Sequence, residues 1–193
     1  LDVYMYSSTN FEYMFYSAST ILTFIVPILT MRMFSEERKN GTEQLLYTSP
    51  RSITSIVLGK FISAVIVVII CELFTLMYFG ILSYFGKPHL GTAVVTLIGF
   101  LLLAMAYIAF GMFASSITEN QIIAAVITMA GFIFMWFMPS FYNGLSQFSL
   151  MNVFSTTFPQ GIMTLQGVTL FLSFTALFII LTIIVISRRK SVK

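Results

Sequence analysis

Charge is scarce in this chain. Asp, Glu, Lys and Arg make up 9% of its 193 residues, and hydrophobic residues 58%, where soluble domains carry about 25% and about 45–50%. So little charge cannot cover a water-soluble surface of this size, and the mean hydropathy of +0.95 marks an integral membrane protein. Cysteine is nearly absent too. Cys71 alone excludes an internal disulfide and any multi-cysteine metal site within the chain, and in its apolar run it reads as a small hydrophobe. One histidine, His89, excludes the usual zinc ligand sets, and no H-E-x-x-H occurs. The opening "LDVYMYSSTNFEYM" lacks the basic and apolar regions of a cleavable signal peptide. The net charge of +3 forms no basic face: Lys and Arg flank apolar runs, which excludes nucleic acid as a partner and points to membrane topology.

What is abundant agrees. The counts of Phe 21, Tyr 9 and Met 12 suit lipid-facing helices and adaptable packing. A spanning helix needs about 20 mainly apolar residues, and five stretches qualify: 13–33, 53–84, 90–115, 120–138 and 165–186. Helices are required because an open strand in lipid leaves backbone groups unpaired. The second stretch is too long to stand upright, so it tilts or projects. The expected fold is all-α, a polytopic membrane helix bundle forming one transmembrane domain over 1–193.

Orientation follows from the basic residues. Arg32, Arg38, Lys39, Arg51 and Lys60 surround the first connection, and Arg188, Arg189, Lys190 and Lys193 close the chain. The second connection, "FGKPHLG", holds only Lys87, and 139–164 carries no charge. Positive residues collect on the cytoplasmic side, so the first connection and the C-terminus are expected in the cytoplasm, in a multi-pass protein of the plasma (inner) membrane. Leu1 then falls outside, and a sixth span upstream of it is expected. In the tight turn "SSITENQ", Thr118, Glu119, Asn120 and Gln121 form the cytoplasmic turn, with Thr118 and Gln121 spaced as a capping box. The uncharged stretch 139–164, with Phe141, Tyr142, Phe148, Phe154 and Phe158, suits short outer helices at the membrane interface.

Catalytic motifs are missing. "LGKFIS" lacks the first glycine and the Ser or Thr of a phosphate loop. Nothing positions Ser146 and His89 as a nucleophile and base. Glu72 lies twelve residues beyond Lys60, about 18 Å along a helix. A carboxylate at that depth is a candidate intramembrane polar site, with a protonated Glu bonded to a neighbouring helix as the simpler reading. Ala104, Gly111 and Ser115 share one face of the third span and permit close helix approach, more simply within the chain than between subunits.

The densest charge is in "MFSEERKNGTEQLLYTSP". Of the 10 basic and 7 acidic residues, seven fall between Arg32 and Arg51, and both signs are present. "SEERK" carries the helix out of the membrane, "NG" breaks it, Thr42 can cap a new short helix from Glu43 toward Thr48, and Pro50 marks the restart. The reading is a helix–turn–helix elbow with Glu36, Glu37, Arg38 and Glu43 exposed around an apolar side of Leu45 and Leu46. A topology signal needs only Lys and Arg; mixed charge around an apolar knob suits a protein-docking surface.

The stretch "PILTMRMFSEERKNGTEQLLYTSPRSITSIVLGKF" resembles the permease subunits of type-2 ABC exporters. "SSITENQIIAAVITMAGFIFMWF" is similar to their gliding-motility-associated or nitrous-oxide-cluster-like branch, and the likeness runs from Phe24 to Arg189 through "FPQGIMTL". The resemblance implies six spans, outer re-entrant helices before the last, and an elbow that acts as a coupling helix. Glu36, Glu37, Arg38, Gly41, Thr42, Glu43 and Leu46 would then touch a separate ABC ATPase subunit. It implies two ATPase copies and a second permease, identical or homologous. ATP and Mg would sit on the ATPase, with no cofactor, metal or catalysis on this chain. Glu72 has no place in that pattern. The alternatives are a secondary transporter or channel using Glu72, and a non-transporting anchor driven by an ATPase.

Overall fold

The computed structural model describes residues 7–44, 51–85, 90–141 and 143–192. Every element among them is helical: α1 (Ser7–Thr30), α2 (Ser35–Lys39), α3 (Ile53–Phe85), α4 (Leu90–Ile117), α5 (Gln121–Phe141), a 3-10 turn (Asn143–Phe148), α6 (Leu150–Thr157), a second 3-10 turn (Phe158–Gln160) and α7 (Leu165–Val192). Five of these helices are long and apolar enough to cross a membrane. This is the polytopic bundle expected from hydropathy.

α4 is the hub. It packs against α1, α3, α5, α7 and the segment before α7, because its surface is built of small residues. Ala104, Ala106, Ala109, Ala114 and Ser115 are fully or almost fully buried, which lets neighbouring backbones close in. At Gly99 and Gly111 an added methyl would overlap Phe158 and Thr30. The face shared by Ala104, Gly111 and Ser115 is therefore spent on packing within the chain. Aromatic rings fill the wider gaps. Tyr107 stacks on Phe132 with centroids 4.0 Å apart, and Phe110 meets Phe178 edge-on at 4.9 Å.

α3 buries a single stripe, Val57, Phe61, Ala64 and Val68, while Ile62, Ile66, Ile70, Leu73 and Phe74 stand exposed. Such a face is untenable in water and ordinary in lipid. Its 33 residues extend about 50 Å at 1.5 Å per residue, against a hydrocarbon core of about 30 Å.

The uncharged segment before α7 re-enters the bundle rather than lying along its surface. Phe141 and Phe148 are exposed as expected, but Phe154 and Phe158 are completely buried. Thr96 of α4 donates a hydrogen bond to the Phe158 carbonyl at 3.1 Å. Phe158 seats on Gly99, about 13 Å along α4 from Leu90. A chain without charge can be pushed that far in because its polar side chains are satisfied by nearby backbone, as where the buried Ser149 hydroxyl donates to the Met135 carbonyl at 2.9 Å and Thr157 to the Val153 carbonyl at 2.6 Å. Gly161, at φ 75°, then reverses the chain beside Thr92. Tyr142, Lys87 and His89 lie outside the described residues.

The turn between α4 and α5 is capped differently from the expected box. Asn120, not Thr118, is the cap: its Oδ1 accepts from the Ile122 N–H at 2.9 Å, while the Thr118 hydroxyl accepts from the Asn120 N–H at 3.1 Å. Asn120 immediately precedes the first helical residue, which is where a capping oxygen reaches the second N–H. The cap relieves donors that lipid cannot satisfy.

Candidate functional site: the charged elbow

After Thr30 the chain turns once and re-enters a helix at Ser35. Asn40 closes α2, its N–H bonding the Glu36 carbonyl at 3.0 Å. Gly41 takes φ 72°, a conformation that side chains resist. The Thr42 hydroxyl donates back to the Glu37 carbonyl at 3.2 Å, and the backbone is helical again at Glu43 and Gln44. The break at Asn-Gly and the restart at Glu43 stand as read. Leu45, Leu46, Thr48 and Pro50 lie outside the described residues. α3 is started by Ser52, whose hydroxyl accepts from the Ser55 N–H at 3.3 Å.

The charges of the elbow are not a free surface. Glu37 pairs with Lys60 at 2.6 Å, Arg38 with Glu119 at 2.6 Å, and Glu43 lies 3.9 Å from Arg189. Glu36, Glu37, Arg38 and Glu43 are half-buried, which corrects the expectation that all four stand exposed. The mixed signs arise because partners far along the chain, on α3, the α4–α5 turn and α7, each supply the opposite charge. The Lys60 ammonium also bonds the Met33 carbonyl and sits 4.5 Å above the Phe34 ring. Lys39, Asn40, Thr42 and Gln44 remain exposed.

Two atoms of α4 gather the elbow. The Ser115 hydroxyl accepts from the Phe34 and Ser35 N–H groups, each at 3.1 Å, and donates to the Met31 carbonyl at 3.0 Å. It thereby satisfies donors left over at the start of α2. The Ile117 carbonyl, at the C-terminal end of α4, accepts from Arg38 at 2.8 Å and from Arg189 at 3.3 Å. Cations at a helix C-terminus are favoured by its partial negative charge. Beneath these contacts Phe34, Val57, Ile186 and Arg189 help to enclose a cavity of about 10 Å³, room for about one water. Beside them an open groove of about 660 Å³ runs between the end of α1 and the start of α3, past Arg32, Glu36 and Arg51.

Sequence reasoning missed Ser115, Lys60 and Arg189 as parts of this site, reading the first as packing and the others as topology signals. Their roles depend on which side chains meet across the bundle, and spacing along one chain does not encode that. Glu72 is far from the elbow. It continues the buried stripe of α3 four residues beyond Val68, and its Oε1 is buried without a hydrogen-bond partner among the described residues. No three His, Cys, Asp or Glu side chains among the described residues converge as a metal site requires.

The sequence profile described as "ABC-2 family transporter protein" matches residues 4–191, nearly the whole chain. This chain belongs to the ABC-2 transporter family. It is the membrane-spanning permease component of an ABC system, not the ATPase, and ABC-2 permeases generally work with an ATPase subunit. No curated protein and no solved structure matches this ABC-2 permease.

Proposed function

We propose that this permease is the transmembrane part of an ATP-driven exporter, in which the elbow receives the stroke of a separate ATPase subunit. The complex would hold two ATPase copies, with ATP and Mg bound there, and a second permease, identical or homologous. The elbow and the C-terminus would face the cytoplasm from the plasma (inner) membrane, as the Lys and Arg placement supports. The string "SSITENQIIAAVITMAGFIFMWF" favours the gliding-motility-associated or nitrous-oxide-cluster-like branch. ATP binding closes the ATPase pair, the elbow transmits the closure, and the permeases release substrate outward. The work comes from contacts that differ between the two states.

One observation carries this reading: where α2 breaks at Asn40-Gly41 and the backbone turns helical again at Glu43, Lys39, Asn40, Thr42 and Gln44 stand exposed at the tip of the elbow. Glu36 flanks that tip, while Glu37, Arg38 and Glu43 brace it from within. Docking is therefore tested at the tip. Lys39→Glu with Thr42→Arg in the full-length permease is expected to weaken co-purification of the ATPase subunit at least tenfold. Unchanged recovery would sink the contact.

A second reading keeps one observation of its own, the unpartnered buried oxygen of Glu72. An intramembrane carboxylate is a site for a proton or cation by default. Glu72→Gln with full transport across pH would remove that reading.

A further inference from the structure

α4 touches both ends of the machine. At the charged end it holds the elbow through the Ser115 hydroxyl and the Ile117 carbonyl, with three backbone groups of residues 31–35 and two guanidinium groups converging there. At the opposite end the same helix holds the re-entrant segment, through the Thr96 hydroxyl on the Phe158 carbonyl and the seat of Phe158 on Gly99. Gly99 and Ile117 are separated by about 27 Å of helix, and α4 runs without a proline or a break over Leu90–Ile117. α1, which leads into the elbow, has Pro27 inside its last turn, where a proline removes a backbone hydrogen bond and loosens the helix.

From this placement we infer that the elbow and the inner ends of α4 and α7 move as one body, and that α4 is the rod carrying elbow motion to the re-entrant segment. Ser115 and Arg189 are positioning residues in this scheme: they fix the elbow to the rod from within the bundle. The inference rests on the proposed function for the source of the motion. It goes further by naming the path and the element at its far end. Energetic coupling over such distances needs packed, hydrogen-bonded elements with two arrangements. α4, a continuous helix anchored at both ends, supplies such a connection, and α7 runs beside it, paired with Glu43 at Arg189 and packed on Phe158 at Phe171.

The clamp is tested first without any partner. In the full-length permease, Ser115→Ala should raise hydrogen exchange at the Phe34 and Ser35 amides about fivefold, from hydrogen bonds worth about 1 kcal/mol each, and leave the middle of α4 unchanged. Unaltered exchange at those amides overturns the clamp. Transmission is tested in the permease–ATPase complex, with Cys71→Ser as background and Thr156→Cys, on the exposed side of α6, as reporter. Labelling by a membrane-impermeant maleimide is expected to change several-fold with ATP in the parent. The change should be lost in Ser115→Ala and, independently, in Arg189→Gln, while ATPase binding and hydrolysis persist. An equal response in parent and clamp variants overturns the rod and leaves the proposed function standing. So does a parent complex that hydrolyses ATP without any change at Thr156→Cys. Failure of the parent to bind an ATPase subunit overturns the proposed function itself, and the rod with it.

Discussion

At Gly111 the backbone of α4 lies so close to Thr30 of α1 that an added methyl would overlap the threonine side chain. Thr30 cannot swing away freely, since it is fully buried and its hydroxyl bonds the Val26 carbonyl at 2.8 Å. Gly111→Ala is therefore expected to destabilise by about 1–3 kcal/mol through overpacking, read as a lower midpoint of thermal unfolding in detergent. Gly59, on the open side of α3, has nothing within contact of a new methyl. Gly59→Ala should hold or gain up to about 1 kcal/mol from helix propensity. Equal losses at both positions would show that helix proximity is not the cause. Glu72 makes the opposite case, a polar group where none is needed for packing. Removing a buried acceptor that lacks a partner recovers about 1–3 kcal/mol of desolvation, so Glu72→Leu is expected to raise that midpoint. A fall instead would mean that the carboxyl has a partner beyond the described residues of this chain.

The elements differ in how much of them can be read from sequence. The spans are legible because lipid demands length and apolarity together: 53–84 is realised as Ile53–Phe85 and 90–115 as Leu90–Ile117. The elbow's break is legible because Asn-Gly is a local signal, and Gly41 does adopt a positive φ. The destinations of its charges are not. Glu37, Arg38 and Glu43 find Lys60, Glu119 and Arg189 across the bundle, and mixed charge looks the same in sequence whether it docks a partner or braces a fold. The re-entrant segment shows the same limit among phenylalanines. Phe148 and Phe158 are one residue type in one uncharged stretch, yet the first is 62% exposed and the second 0%. Phe158→Ala is expected to cost about 3–5 kcal/mol by opening a cavity at the hub, and Phe148→Ala close to nothing. Similar losses at both positions would contradict the re-entrant fold. The α5 cap gives a sharper test at the same scale. Asn120→Ala should cost about 0.5–2 kcal/mol and Gln121→Ala little, whereas a capping box built on Thr118 predicts the larger loss at Gln121.

At the scale of the whole molecule, most of the charge among the described residues sorts to one end. The elbow, the α4–α5 turn and the end of α7 are joined by Arg38, Glu119, Glu43 and Arg189, so these connections lie on one face of the bundle whatever the membrane's orientation. The re-entrant segment, carrying no charge between 139 and 164, lies at the other end of α4. A bilayer with a hydrocarbon core of about 30 Å placed across the five long helices must separate the two ends, and the positive-inside bias then decides which is cytoplasmic. The arrangement makes a prediction about sides that needs neither substrate nor ATPase. With Cys71→Ser as background, single cysteines at Asn40 and Lys190, both exposed at the charged end, should resist an impermeant maleimide in intact cells and react only after permeabilisation. Single cysteines at Gly144 and Gln160, exposed at the opposite end, should react in intact cells. If Asn40→Cys and Lys190→Cys fell on different sides, the ion pairs that join their neighbourhoods could not form and the bundle itself would be wrong. If all four sides were reversed, the bundle would stand, but the elbow would face away from any cytoplasmic ATPase and the coupling role proposed for it would fail.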